Sequence, residues 1–139
     1  MIYSVGYAKL SIEDVERIME TFKLELLIDV RSHPYSRNPM KYEFNKNQME
    51  ERLGERYQWK GDILGGRYGA VKPLGLQYLV NLDGRGSRGI LLCMEADPVT
   101  CHRYYDISVR LLTQGIDVIH LPDAVTTSEL VARNRGDLL

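Results

Sequence analysis

The sequence has little of what marks secreted, membrane-spanning or polyanion-coating proteins. Its 139 residues include 2 cysteines, too few for the disulfide framework of a secreted domain, so we expect a reducing, cytoplasmic location. No apolar run approaches the roughly 20 residues that cross a bilayer, and we expect no membrane partner. With 18 basic against 19 acidic residues, the net charge of -1 argues against coating of nucleic acid through a basic excess. A local basic pocket remains compatible with these totals.

Short apolar, β-prone runs alternate with amphipathic helical segments along the whole chain. Ser11 has the position of an N-cap, and apolar side chains from Ile12 to Phe22 recur at helical spacing. Strands are predicted at residues 2–5, 24–30, 57–59, 89–94 and 116–121, and helices at 12–23, 46–54, 74–83 and 104–114. This order predicts one three-layer α/β domain over residues 1–139, with a mostly parallel, doubly wound sheet of about five strands. Residues 31–45 and 61–72 are predicted as loops, and the tail over 122–139 is compatible with a short helix.

The carboxyl ends of the predicted strands indicate where a ligand would bind, because open α/β sheets hold ligands at that edge. Asp29 and Arg31 end the second strand and share one face of it, and Glu95 follows the fourth. The planar guanidinium of Arg31 suits a phosphate or carboxylate. The alternative is an internal pair of Asp29 and Arg31 that fixes the strand end.

The segment from Arg31 to Lys46 is locally basic. It carries Arg31, Arg37, Lys41 and Lys46 against Glu43 alone, a charge of +3, and interleaves these cations with Tyr35, Tyr42 and Phe44. Basic and aromatic side chains together suit an anionic ligand with a flat ring, such as a nucleotide or an unstacked base. The alternative is a solvated loop that uses its aromatic side chains to hold itself in place.

Cys101, His102 and Arg103 form the second candidate cluster. Cys101 is expected near the start of the next helix, beside two groups that stabilise a thiolate, so it is a candidate nucleophile, with His102 in an acid–base role. Cys93 is either a resolving thiol or a small buried residue of an apolar strand. Cys93, Cys101 and His102 lack the ligand spacing of structural zinc sites, so no metal and no other cofactor is expected.

Several separated motifs resemble one family, DUF488, whose members are uncharacterised α/β proteins. They are, in order, Ile2 to Tyr7, Ile28 to Pro34, Ser36-Arg37, Phe44 to Lys46, Leu64 to Arg67, Leu91 to Glu95 with Pro98, and Cys101 to Arg103. The resemblance implies an α/β domain whose motif residues gather in one pocket, which brings His33 and Arg67 to the site. It implies no reaction, and many members have histidine where this chain has Tyr7.

Three functions fit these observations. The first is an enzyme or binding protein for an anionic small molecule or nucleotide, which Arg31, Arg37 and Arg103 would bind while Cys101 or His102 does covalent or acid–base work. In this interpretation Arg31 and Arg103 form an anion clamp. The second is a nucleic-acid-binding or accessory module that uses the basic aromatic loop over residues 31–46. In the third, the cluster of Cys101, His102 and Arg103 only braces the loops. We favour the first.

Overall fold

Continuous apolar runs form the centre of the sheet, as expected for strands that are covered on both faces. The computed structural model describes residues 1–67 and 71–137. Its strands are β1 (Ile2–Gly6), β2 (Leu26–Asp29), β3 (Tyr57–Trp59), β4 (Gly89–Cys93), β5 (Ile119–Leu121) and β6 (Val125–Thr126). They form one six-stranded sheet in the order β3-β2-β4-β1-β5-β6, parallel except for the antiparallel pair of β5 and β6. The predicted single α/β domain is therefore confirmed, with β6 as an addition.

Helices cover both faces of this sheet. They are α1 (Ile12–Thr21), α2 (Lys46–Leu53), α3 (Gly61–Leu64), α4 (Pro73–Gly84), α5 (Val109–Leu112) and α6 (Thr127–Asp137). Alternate side chains of β4 enter two separate cores: Ile90 and Leu92 pack with α1 and α2, and Leu91 and Cys93 pack with α4 and α5. The three layers follow from this alternation. No helix in residues 1–67 and 71–137 is long and apolar enough to cross a membrane.

Several local predictions need correction. The segment predicted as a structureless loop over residues 31–45 contains a 3₁₀ helix, Pro39–Phe44, because Phe44 is completely buried and anchors it. The segment over 61–72 contains the short helix α3, while residues 68–70 of this predicted loop lie outside the described residues. The predicted α-helix over 104–114 is a π-helical turn, Arg103–Ser108, followed by α5. The last parallel strand covers Ile119–Leu121 only.

The carboxyl ends of β1, β2 and β4 meet at one edge of the sheet. Beyond β1, the main-chain N–H of Tyr7 donates to the oxygen of Cys93 at 3.0 Å, and that of Ala8 to the oxygen of Met94 at 2.8 Å. Gly6 permits this close approach, because a Cβ atom at that position would stand 1.7 Å from the main-chain oxygen of Glu95. The edge predicted to bind a ligand is thus built from the strands expected there.

Candidate functional site

A pocket of about 440 Å³ lies at this edge of the sheet. Among the predicted site residues, those that line it are Arg31, His33, Arg67, Glu95, Cys101 and His102. Asp29 is completely buried beneath Arg31, whereas Arg37 is exposed. Neither Asp29 nor Arg37 is among the described residues that line the pocket. Tyr7, Cys93 and the exposed side chains of Tyr35 and Tyr105 also line it.

Asp29 and Arg31 form a buried ion pair at the end of β2. Arg31 Nε donates to Asp29 Oδ1 at 2.8 Å, and Nη2 donates to Asp29 Oδ2 at 2.7 Å and to the main-chain oxygen of Phe44 at 2.6 Å. Nη1 donates to the Tyr7 hydroxyl at 3.0 Å, and Tyr57 donates to Asp29 at 2.5 Å. Burial lowers the pKa of Arg31, whereas the hydrogen bonds and the charge of Asp29 raise it. The net effect is a raised pKa.

These contacts use four of the five N–H groups that a guanidinium offers. One N–H of Arg31 Nη1 has no hydrogen-bond partner among the described residues, and Arg31 lines the pocket. The internal pair that the sequence left as an alternative is therefore present. What Arg31 offers to a ligand is a single N–H rather than its whole planar fork.

Arg103 is completely buried, and its hydrogen bonds are not those expected of an anion clamp. Its Nη1 donates to the main-chain oxygen of Glu95 at 2.7 Å, and its Nε donates to the hydroxyl of Ser4 at 3.1 Å. Arg103 thus supports the first turn of the segment between Cys93 and Cys101 from behind. These contacts favour the bracing alternative for Arg103, and they do not place it opposite Arg31 across the pocket.

Ser4 also contacts His120. The Thr127 hydroxyl donates to the main-chain oxygen of Val118, so the Nε2–H of His120 donates to Thr127 Oγ1 at 3.0 Å. His120 Nδ1 is then the acceptor for the Ser4 hydroxyl at 2.5 Å. Burial, followed by the charge of Arg103, lowers the pKa of His120 to about 4. The brace behind the pocket therefore contains a neutral imidazole.

Cys93, Cys101 and His102 meet on the pocket side of this brace. His102 Nδ1 lies 3.8 Å from the sulfur of Cys93 and 3.9 Å from that of Cys101. His102 Nε2 lies 3.0 Å from the main-chain oxygen of Val30 and 3.1 Å from that of Leu64. Because carbonyl oxygens only accept hydrogen bonds, Nε2 carries a proton and Nδ1 is the atom presented to both sulfurs.

Gly66 allows the imidazole to occupy this position. A Cβ atom at Gly66 would stand 3.0 Å from Cγ of His102, closer than such contacts normally come. The neighbouring main-chain N–H of Arg67 donates to the Ser32 hydroxyl at 3.1 Å, which joins this segment to the end of β2. The predicted motif from Leu64 to Arg67 thus forms the wall against which His102 packs.

The two cysteines have opposite electrostatic surroundings. A hydrogen bond from Cys93, followed by those from His102 and the main-chain N–H of Arg103, lowers the pKa of Cys101 well below its usual range, although burial acts in the opposite direction. The hydrogen bond to Cys101, burial and the nearby Glu95 raise the pKa of Cys93, whose sulfur lies 3.7 Å from Glu95 Oε2. Burial lowers the pKa of His102, but the hydrogen bond with Cys101, the charge of Cys101 and the hydrogen bonds with Val30 and Leu64 together raise it. Cys101 is therefore the favoured thiolate and His102 its partner cation.

The same three residues also form a potential set of metal ligands. Cys93 Sγ, Cys101 Sγ and one ring nitrogen of His102 all lie within 4.8 Å of one another. The sequence argued against a metal because the ligand spacing along the chain does not match that of structural zinc sites. The fold brings the three side chains together instead, because the turn that carries Cys101 and His102 lies beside the end of β4. The sequence is compatible with two alternative roles for Cys93. In the structure Cys93 lines the pocket together with Cys101 and His102.

The basic loop over residues 31–46 uses part of its predicted binding chemistry internally. Lys41 Nζ donates to the main-chain oxygens of Tyr7 and Leu10 at 3.1 and 2.8 Å, and Lys46 pairs with Glu50. Phe44 stacks on Tyr7 with ring centroids 4.3 Å apart. These contacts favour the alternative in which the loop holds itself in place, while Arg37 remains exposed.

Comparison with known proteins gives one result. The sequence model of a domain of unknown function, DUF488, matches residues 11–75, which include Asp29, Arg31, His33, Arg37 and Arg67. No curated protein and no solved structure matches the chain. The segment from Cys93 to Arg103 lies outside the matched residues, so its chemistry has to be argued from the geometry alone.

Proposed function

Residues 11–75 match the sequence model of DUF488, a domain of unknown function, and from this likeness we propose that the pocket binds an anionic small molecule or nucleotide and that Cys101 attacks it. The observation that carries the proposal is the fixed imidazole of His102. With Nε2 donating to Val30 and Leu64, Nδ1 can only serve the sulfurs at the floor of the pocket. A nucleophilic thiol beside an oriented imidazole is the arrangement that covalent catalysis requires.

The proposed step begins with the Cys101 thiolate and the His102 imidazolium. The sulfur forms a bond to the electrophilic atom of the substrate, the bond from that atom to its leaving group breaks, and His102 Nδ1 gives its proton to the leaving group. A water molecule then attacks the same atom and releases the Cys101 sulfur, while His102 regains a proton from that water. Both half-reactions use only residues that line the pocket, and water.

The pocket offers cationic and aromatic groups to the rest of the ligand. Arg67 and His33 line the pocket beside the remaining N–H of Arg31, where an anionic group would contact them, while the exposed rings of Tyr35 and Tyr105 can stack on a flat ring. Glu95 adds a hydrogen-bond acceptor close to Cys93, at 3.7 Å from its sulfur. This combination favours an anionic ligand that also carries hydrogen-bond donors, as nucleotides do.

Alkylation kinetics test this function. Reduced, metal-free protein is treated with iodoacetate, which is anionic, or with neutral iodoacetamide, and each labelled cysteine is identified by peptide mass spectrometry. We expect Cys101 to be labelled before Cys93, with a larger preference for iodoacetate than 2-mercaptoethanol shows under the same conditions. Equal labelling of both cysteines, or no enhanced preference for the anion, would contradict the proposal.

Two pairs of variants assign the effects to residues. We expect His102→Gln to reduce the selectivity for Cys101, whereas His33→Gln, which removes an exposed imidazole that lines the pocket, keeps it. We expect Arg67→Gln to reduce the preference for iodoacetate, whereas Arg37→Gln, which removes an exposed arginine outside the described pocket lining, leaves it unchanged. If His33→Gln acted like His102→Gln, the imidazole–thiol pair would not explain the selectivity.

The alternative function, binding of nucleic acid by the loop over residues 31–46, is favoured by one observation. Arg37 and the rings of Tyr35 and Tyr42 are exposed on the same segment. Salt-sensitive binding of single-stranded oligonucleotides that Arg37→Ala weakens, while Arg67→Gln leaves it intact, would support this alternative.

A further inference from the structure

Cys93, Cys101 and His102 have nearly the separations of ligands around a tetrahedral ion. With zinc–sulfur bonds of about 2.3 Å and zinc–nitrogen bonds of about 2.0–2.1 Å, ligand atoms in such a site lie about 3.6–3.8 Å apart. The two sulfurs here lie 3.8 and 3.9 Å from His102 Nδ1. The two distances from nitrogen to sulfur would therefore need to shorten by only a few tenths of an ångström for the ligands to close on an ion. The distance between the two sulfurs lies within 4.8 Å.

The hydrogen bonds of His102 independently point to a ligand. Metal-binding histidines usually donate their second ring N–H to a carboxylate or a main-chain carbonyl, which fixes the tautomer and aims the free lone pair at the ion. His102 Nε2 has two such carbonyl partners, from Val30 and Leu64. In its neutral form this imidazole presents an unprotonated Nδ1 to the space between the two thiols.

We propose that Cys93, Cys101 and His102 bind one zinc ion, and that this ion switches off the Cys101 nucleophile by occupying its sulfur. Binding exchanges the remaining thiol protons and any proton on His102 Nδ1 for the metal and releases them to solvent, with no change of oxidation state. Three protein ligands leave the fourth position of zinc to water or to an anion from the pocket. The regulatory half of this inference rests on the proposed function, and the binding half does not.

Cobalt substitution tests the binding half. Reduced, metal-free protein is titrated with Co²⁺, whose visible and near-ultraviolet bands report tetrahedral geometry and thiolate ligation, and Zn²⁺ is then added. We expect one equivalent of Co²⁺ to give both bands and Zn²⁺ to remove them. Loss of an outer-shell partner typically lowers metal affinity about 10–100-fold. Cys93→Ser removes a direct ligand and should therefore lower the affinity for Co²⁺ at least as much. Binding that is equal in wild type and Cys93→Ser would overturn the assignment, and so would the absence of thiolate bands.

Cys101→Ser and His33→Gln complete the binding test. Cys101→Ser should weaken binding as Cys93→Ser does, whereas His33→Gln, a histidine of the same pocket outside the three ligands, should bind Co²⁺ as wild type does. Loss of binding in His33→Gln would place the ion elsewhere. Circular dichroism spectra of each variant show whether it is folded, and protection of Cys101 in wild-type protein gives a readout that needs no variant.

Protection of Cys101 from iodoacetamide tests the regulatory half. We expect one equivalent of Zn²⁺ to slow labelling of Cys101 in wild type, and to have little effect in Cys93→Ser. The two proposals fail in distinguishable ways. Selective labelling of Cys101 that zinc leaves unchanged would refute the inference and keep the proposed function. Tight, cysteine-dependent binding of Co²⁺ together with unselective labelling in metal-free protein would refute the proposed function and keep the zinc site.

Discussion

His120 should make the stability of this protein depend on pH between about 6.5 and 4. Its imidazole is 2% exposed, and the hydrogen bonds of Ser4 and Thr127 fix it as the neutral Nε2–H tautomer. Protonation would place a second donor against Ser4, whose oxygen already accepts from Arg103. The charge of Arg103 opposes the added proton, and that of Asp117 only partly offsets it. Acid therefore favours the unfolded chain.

The magnitude follows from the shift in pKa. The pKa is lowered from 6.5 to about 4 in the folded protein. At about 1.4 kcal/mol for each unit, the full effect on the free energy of unfolding is about 3.5 kcal/mol, of which about 2.5 kcal/mol is reached by pH 4.5. Because the folded-state pKa lies below the unfolded value, this stability is present above pH 6.5 and is lost as the pH falls towards 4.

Urea denaturation of wild type and His120→Gln at several pH values isolates this contribution from that of the carboxylates. We expect His120→Gln to be less stable at pH 7.5, because it loses fitted hydrogen bonds, and the difference from wild type to narrow by about 2.5 kcal/mol at pH 4.5. His33→Gln is the control for removal of an exposed imidazole. If wild type and His120→Gln lost stability in parallel as the pH fell, the argument from the buried neutral imidazole would be refuted.

Two further predictions concern the edge of the sheet. Gly6→Ala should lower the free energy of unfolding by about 1–3 kcal/mol, because the new Cβ would meet the main-chain oxygen of Glu95. Gly84→Ala, where the new Cβ would have no described atom within 4 Å apart from its chain neighbours and the backbone of its own helix, is the control, and equal urea midpoints for the two variants would contradict the close packing of β1. Arg31→Met should cost about 3–5 kcal/mol in the same assay by leaving the Asp29 carboxylate buried without its partner. Adding Asp29→Asn should recover part of that loss, and strict additivity of the two changes would show that the ion pair is not coupled.

The sheet and the edge that forms the pocket could be predicted because they depend on local pattern. The segment from Gly89 to Cys93 is apolar throughout, as expected for a strand that is covered on both faces. Ser11 has a side chain that caps α1. The carboxyl ends of β2 and β4 then had to meet at one edge. β6 escaped prediction because a strand of two residues, Val125–Thr126, has no periodicity to detect.

The contents of the pocket could be predicted only in part, because they depend on tertiary contacts. The direction of Arg103 is set by the carbonyl of Glu95 and the hydroxyl of Ser4, which is 99 residues away in the chain. The carbonyls that fix His102 belong to Val30 and Leu64, and no pattern around His102 indicates them. For Cys93 a signal existed: as the last residue of β4 it lies at the edge where ligands bind, although its apolar neighbours favoured a structural role.

The pH profile of Cys101 alkylation tests the central claim most directly. In reduced, metal-free protein, the rate of carbamidomethylation of Cys101 is measured by peptide mass spectrometry from pH 5 to 8. An ordinary thiol, with a pKa of about 8.5, slows about tenfold for each unit of acidification in this range. Because its partners lower the pKa of Cys101 well below that of an ordinary thiol, we expect its rate to fall by much less than tenfold for each unit of acidification, and to fall more steeply in His102→Gln. A tenfold fall per pH unit in wild type would show that Cys101 is an ordinary buried thiol, and would contradict the account of the pocket as a thiolate site.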